Sequence, residues 1–320
     1  MSELDWLFNL PASPLHKIEN NFLKERGIDL FVIREELNHP ELSGNKLHKL
    51  KFFLLKAKEE GHSTLLTFGG AYSNHIYATA ASGKEFGFKT IGIIRGEEQL
   101  PLNPTLKFAS ESGMRLHYMS RSKYRQKHTG YIIEQLKSEF GNFYLIPEGG
   151  TNNLAIKGCA EIIDSIKIDF DIICTPCATG GTLAGLIAGL NGNQFSLGFS
   201  VLKGGSFLIK DVKDLLTNSG YRHLNNWNIN VDYHFGGYAK INSDLISFVN
   251  SFEKENNIML EPIYTGKMMY GLYDLISQKR ISEGVRIIAL HTGGLQGLAG
   301  LMTKHSGLYS RLNTFKNKSI

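Results

Sequence analysis

The chain predicts an α/β protein of two domains, each a twisted parallel sheet flanked by helices. Short apolar segments alternate with amphipathic helical segments along almost its whole length, the signature of βα units. The apolar segments are near-continuous in β-branched and aromatic residues, as expected of strands buried on both faces. Three of them also run into glycine-rich turns, and open α/β sheets gather ligands at the carboxyl ends of their strands.

Strands are expected at 29–33, 64–68, 90–94, 143–146, 171–175, 195–201 and 285–291. Between them, segment 47–59 places Leu47, Leu50, Leu54 and Ala57 on one stripe, the spacing of a helix that buries one side. Segments 132–140, 154–166 and 245–256 read the same way, and a further helix is expected at 183–190. Strand–helix–strand connections of this kind make parallel sheets covered on both faces. No internal repeat, linker or low-complexity segment interrupts the alternation.

At 320 residues the chain can bury two cores. With 42% hydrophobic and 20% charged residues, it has an ordinary globular composition. The net charge of +5 raises the question of nucleic acid, but Lys and Arg are scattered and form no basic block. No nucleic-acid partner is expected. Met1 to Leu10 carries Glu3 and Asp5 and lacks the basic and apolar regions of a signal peptide. The apolar run 183–190 is too short to span a bilayer, so a cytoplasmic protein with no membrane partner is expected.

The cysteines, Cys159, Cys174 and Cys177, are an odd and sparse set that suits a reducing compartment. Cys174-Thr175-Pro176-Cys177 spells C-x-x-C, yet no second such pair or clustered histidines complete a zinc site. The motif closes an apolar strand instead of opening a helix, so it reads as two incidental buried thiols. No metal site is expected.

The glycine-rich turns are Phe68-Gly69-Gly70, Ala178-Thr179-Gly180-Gly181-Thr182 and His291-Thr292-Gly293-Gly294. The dinucleotide fingerprint, the P-loop, H-E-x-x-H and G-x-S-x-G are all absent from the sequence. What remains is a turn fit for one phosphate. The amides and hydroxyls of Thr179, Gly180, Gly181 and Thr182 follow a buried strand and open a helix, where an anion is welcome. A second feature is Lys46, in the polar turn Ser43-Gly44-Asn45-Lys46 at the head of the 47–59 helix. The positive end of the helix dipole disfavours an ammonium there, and a neutral amine is what Schiff-base chemistry needs. Together a reactive lysine and a phosphate cup suggest pyridoxal 5'-phosphate.

The stretch Ser43-Gly44-Asn45-Lys46-Leu47-His48-Lys49-Leu50 resembles the cofactor-lysine motif of the 1-aminocyclopropane-1-carboxylate deaminase/D-cysteine desulfhydrase family. The resemblance continues in order through Gly69-Gly70-Ala71-Tyr72-Ser73-Asn74-His75, Pro147-Glu148-Gly149-Gly150, Ala178 to Thr182, Tyr264-Thr265-Gly266-Lys267 and His291 to Gly294. It implies a tryptophan-synthase-β-like architecture, fold type II, and a homodimer acting on a small amino acid. It implies a large cofactor domain from 1–48 and 153–320, with a small domain at 49–152 inserted in it. It also implies roles. Lys46 would hold the cofactor, Asn74 would meet its phenolic oxygen, and the turn Thr179 to Thr182 would hold its phosphate. Ser73, Tyr238 and Tyr264 would line the substrate side. Tyr72 stands where the family pattern has Gln, and His48 where it has Arg.

The resemblance also bears on chemistry. Deaminases of the family follow the tyrosine at 264 with Glu and precede the last glycine pair with an apolar residue. This chain has Thr265 and Thr292 there, as in the desulfhydrase pattern. A hydroxyl can hydrogen-bond a pyridine nitrogen without supplying charge, which suffices for β-elimination from D-cysteine to pyruvate, ammonia and sulfide. The alternatives are 1-aminocyclopropane-1-carboxylate deamination and, in another class, a pyridoxal-phosphate-binding protein without turnover.

Overall fold

The structure is a computed structural model, and it describes residues 4–190 and 192–304; Glu3 of the N-terminal stretch lies outside them. Two sheets organise the chain. The larger runs in the order β1 (Leu15–Ile18), β2 (Asp29–Ile33), β10 (Arg286–Leu290), β7 (Ile172–Cys177), β8 (Phe195–Ser200), β9 (Trp227–Asn230). The smaller runs β5 (Met114–Met119), β4 (Lys89–Arg95), β3 (Thr64–Gly69), β6 (Tyr144–Ile146). All pairings are parallel except that of β1 with β2. The strands of the smaller sheet come from one continuous stretch, and those of the larger from both sides of it in sequence.

Every strand expected from the sequence is present, with ends shifted by no more than two residues. The strands that periodicity missed, β1, β5 and β9, all lie at sheet edges. Their polar residues explain the miss: His16 and Lys17 in β1, Arg115 and His117 in β5, Asn228 and Asn230 in β9. An edge strand faces water along one side and tolerates them. The expectation of purely parallel sheets gives way at β1, which reaches β2 by a short return through the helix Asn21–Glu25.

The strands inside the larger sheet bury both faces, as period-two geometry requires. Along β10, Ile287 and Ala289 join the core under the helices Ser243–Asn256 and Thr265–Ser277. Ile288 and Leu290 join the opposite core, under the helices Asn153–Asp164 and Gly181–Leu190. In the smaller sheet Leu65 packs with the predicted stripe Leu47, Leu50, Leu54 and Ala57 of the helix Asn45–Glu59. Leu66 and Phe68 face the helix Gly130–Phe140. Cys159, Cys174 and Cys177 are buried free thiols. Burial pushes the Cys159 thiol up to about 11 and the Cys177 thiol to about 12, far from the range of a reactive thiolate. Among the described residues no group of side chains could hold a metal ion, and no helix is long and apolar enough to cross a membrane.

Candidate active site

The lysine turn is held from behind. Gly44 has φ +77°, a left-handed value that glycine adopts without steric cost. A Cβ there would also collide with the Thr292 carbonyl. The Gly44 amide donates to the Glu35 carbonyl at 2.9 Å, and the Asn45 amide to the Thr292 carbonyl at 3.3 Å. The helix therefore starts at Asn45, two residues before the apolar stripe, and Lys46 lies in its first turn. Beneath it, His48 is buried with Nε2 2.7 Å from Glu35 Oε2, so the position where the family pattern has Arg serves the buttress. Burial alone would raise the neighbouring carboxyls. Interactions with His48 and Asn38 at Glu35, and with His291 and Arg34 at Glu36, together outweigh it, and both carboxyls fall below the usual carboxylate value.

Lys46 is half-buried, and Nζ donates to Asn45 Oδ1 at 2.9 Å. Burial, helped by the Lys49 ammonium, pulls Lys46 down to about 7, so a large share of neutral amine exists at neutral pH. Asn45 Nδ2 donates to Thr182 Oγ1 at 2.7 Å. That bond joins the lysine turn to the expected phosphate cup.

The turn expected to hold the phosphate opens the helix Gly181–Leu190, and its surroundings are more cationic than the sequence suggested. The helix Gly181–Leu190 has no acidic residue in its first turn, which leaves its positive end unopposed. Thr179 Oγ1 meets Thr151 Oγ1 at 2.9 Å. Lys49, absent from the expected site, is buried and donates to Thr151 Oγ1 at 3.0 Å and to the Gly149 carbonyl at 2.6 Å. A Cβ on Gly181 would stand 2.9 Å from the Thr151 side chain and 3.2 Å from Lys49 Cε. The sequence did carry one signal for Lys49. It lies one helical turn after Lys46, on the same face.

Across the cleft, Ser73 caps the helix Asn74–Phe86 by accepting from the His75 and Ile76 amides. Its O–H remains able to donate. Asn74 Oδ1 accepts from Gln296 Nε2 at 3.3 Å, and Nδ2 lies 2.7 Å from where a Cβ of Gly294 would stand. Asn74 thus sits against the last glycine turn. Beside it, burial and the charges of Lys49 and Lys46 hold His75 well below the usual histidine value, so it is neutral at pH 7. Tyr72 is exposed.

The tyrosines expected on the substrate side meet each other: Tyr264 Oη donates to Tyr238 Oη at 3.2 Å. Thr265 is a different case. It is fully buried, and its hydroxyl lies 3.2 Å from both Glu261 Oε1 and the Glu261 carbonyl while accepting from the Glu261 amide. Glu261, which sequence reasoning passed over, also accepts from the amides of Ile263, Tyr264 and Thr265. Burial still raises its carboxyl to about 7. An acid inside the apolar run Ile258 to Ile263, just before a helix, was the available signal. Thr292 is buried and offers its carbonyl to the lysine turn.

These groups form a donor set for one phosphate dianion beside a partly neutral lysine, the two ends that pyridoxal phosphate presents. The model of the pyridoxal-phosphate dependent enzyme family matches residues 9–293. The chain belongs to that family. Within the family it falls in the 1-aminocyclopropane-1-carboxylate deaminase/D-cysteine desulfhydrase group. It is 30% identical to an Arabidopsis thaliana mitochondrial bifunctional D-cysteine desulfhydrase/1-aminocyclopropane-1-carboxylate deaminase, over 96% of this chain and 82% of that protein. It is 31% identical over 289 residues to a Pyrococcus horikoshii protein provisionally named as a 1-aminocyclopropane-1-carboxylate deaminase, covering 87% of this chain and 88% of that one. A solved structure of an ACC deaminase homologue superposes with a TM-score of 0.81 at 26% identity, over 96% of this chain and 99% of that chain. A hydrogen sulfide-producing enzyme from Fusobacterium nucleatum shares the fold, with a TM-score of 0.65 at 15% identity over 92% of this chain and 98% of that one. This pyridoxal-phosphate enzyme would hold the cofactor's phosphate with the turn Thr179 to Thr182 and Lys49, and its carbonyl carbon with Lys46.

Proposed function

We propose that this enzyme eliminates the β-substituent of a small amino acid, D-cysteine first among them, releasing pyruvate, ammonia and sulfide. The observation that carries the reading is Thr265 with Glu261. Where the deaminase pattern has a glutamate stands a threonine, and both oxygens of the adjoining carboxyl already accept hydrogen bonds. Neither group offers an unshared acid to a bound ring.

Bound pyridoxal phosphate draws electron density from the substrate's α-carbon. The chain's own residues do the rest. Lys46, with its pKa near 7, presents a neutral Nζ able to take the α-proton. Ser73, whose O–H is free to donate, binds the substrate carboxylate at the head of the helix Asn74–Phe86. Burial first, and the Tyr238 hydroxyl beside it, raise Tyr264 well above its usual value. Tyr264 therefore stays protonated and donates to Tyr238, whose own O–H is left to hydrogen-bond the substrate's sulfur.

The name of the Arabidopsis relative couples both activities, so opening of the cyclopropane amino acid is the second reading. We take the molecule to act in the cytoplasm as a homodimer, with domain boundaries at 48/49 and 152/153. The test is keto-acid release from D-cysteine, L-cysteine and 1-aminocyclopropane-1-carboxylate under one set of conditions. Pyruvate from D-cysteine should dominate. Faster release of 2-oxobutanoate from the cyclopropane substrate overturns the choice.

A further inference from the structure

Tyr238 reaches the site from a segment with a run of left-handed backbone. Phe235 has φ +53° and Ala239 φ +55°, with Gly236 at +92° and Gly237 at +123° between them. Left-handed values at non-glycine residues cost energy and persist only where the surroundings impose them. Turn bonds close the segment locally, from the Gly237 amide to the His234 carbonyl at 3.0 Å and from the Lys240 amide to the Gly237 carbonyl at 3.1 Å, and one side chain ties both of those carbonyls to the core. Lys267 is fully buried, and its Nζ donates to the His234 carbonyl and to the Gly237 carbonyl, both at 2.8 Å. Those carbonyls flank the left-handed run, and the second belongs to the residue before Tyr238.

Lys267 has no carboxylate within bonding distance among the described residues; Glu261 acts on it only from farther away, and the two carbonyls take its hydrogen bonds. A buried ammonium without such partners is expensive. The cost of uncovering it therefore keeps the segment closed. The rest of the same helix face continues the grip. One turn on, a Cβ at Gly271 would stand 2.7 Å from the Tyr233 ring, and Tyr233 Oη donates to Asp274 at 2.7 Å. The helix Thr265–Ser277 thus holds the segment through Lys267, Gly271 and Asp274, positions i, i+4 and i+7. Tyr264, at the N-cap of this helix, meets the Tyr238 hydroxyl.

We infer that Lys267 is a positioning residue that holds the segment 234–238 so that the Tyr238 hydroxyl stands at the substrate side of the site. The inference rests on the reading of Tyr238 as a substrate-side residue. Lys267 touches neither substrate nor cofactor; its effect passes through Tyr238 and should appear in KM more than in kcat.

The test uses the holoenzyme and the variants Lys267→Met, Lys267→Gln, Tyr238→Phe and Lys267→Met with Tyr238→Phe. Amide hydrogen exchange is followed over 234–240, with the helix Asn74–Phe86 as internal reference. Lys267→Met should speed exchange over 234–240 by about tenfold or more and leave the reference unchanged. Lys267→Gln, which keeps a donor for one carbonyl, should fall between, and it carries the test if the methionine variant does not fold. On D-cysteine, Lys267→Met and Tyr238→Phe should each raise KM about tenfold, and the double variant should be no worse than the poorer single one. Unchanged exchange, or KM effects that multiply in the double variant, overturns the role of Lys267. Wild-type KM in Tyr238→Phe with fast exchange in Lys267→Met overturns the assignment of Tyr238 and retains the anchor. If D-cysteine is not consumed, the proposed reaction fails and exchange alone still decides the anchor.

Discussion

Asn45 Nδ2 donates to Thr182 Oγ1 at 2.7 Å, although 137 residues separate the two in sequence. One end of this bond is next to Lys46 and the other closes the phosphate turn. It therefore sets the distance between the two points at which pyridoxal phosphate would be gripped.

Asn45→Ala should loosen cofactor binding without unfolding the chain. Removing a buried neutral hydrogen bond costs about 1–1.5 kcal/mol, so Kd for pyridoxal phosphate should rise roughly tenfold. Equilibrium dialysis of the cofactor-free protein measures it. Wild-type affinity would show that the bond does not set the spacing.

Capture of the cofactor should depend on pH with two limbs. Lys46 attacks only as the neutral amine, so the rate rises with pH through about 7. Burial lowers Lys49 to about 8, so its charge, and with it the attraction for phosphate, is lost above that value. In Lys49→Met the alkaline limb should vanish. The acid limb should move to higher pH, because a charge that lowered Lys46 is gone. Stopped-flow mixing reports the rates. Borohydride trapping should mark Lys46, and a label on Lys49 or Lys267 would refute the assignment.

Gly181→Asp should abolish cofactor retention. The added carboxylate lies beside Lys49 and repels a phosphate in the same cup. Gly181→Ala separates sterics from charge: its Cβ presses on Thr151 at 2.9 Å but carries no charge. Dialysed protein should keep part of its cofactor with alanine and almost none with aspartate. Equal retention in the two variants would locate the phosphate elsewhere.

Thr265→Glu, the substitution that restores the deaminase pattern, should be costly here. It sets a second carboxylate against Glu261 inside the core, where like charges disfavour ionisation. The expected loss is on the order of 2–4 kcal/mol at pH 8. A buried carboxyl raised in the folded state is penalised above its unfolded value, so the loss should shrink as pH falls toward 4.5. Glu261→Gln in the same chain should restore much of the melting temperature. An unchanged Tm in Thr265→Glu would mean that the two side chains do not share the site.

Local pattern was enough for the interior of both sheets, the helix stripe Leu47 to Ala57, the glycine turns and the placing of Lys46 at a helix head. Each depends on residues within one or two turns of each other, so periodicity and turn chemistry carry them. Three of the four edge strands, β1, β5 and β9, escaped because an edge tolerates the polar residues they carry, whereas the fourth, the apolar β6, was legible. Lys49, Glu261 and Lys267 escaped for another reason. Each is a charged residue whose burial is decided by distant segments: Lys49 by the turn at 149–151, Glu261 by the packing of its own cap against Gly294, Lys267 by the loop at 234–237. Sequence alone determined which residue types stand at strand ends, and hence the fold and the cofactor. Only the tertiary structure decided which buried charges gather there, because a charge loses its water, and shifts its pKa, only when remote parts of the chain close over it.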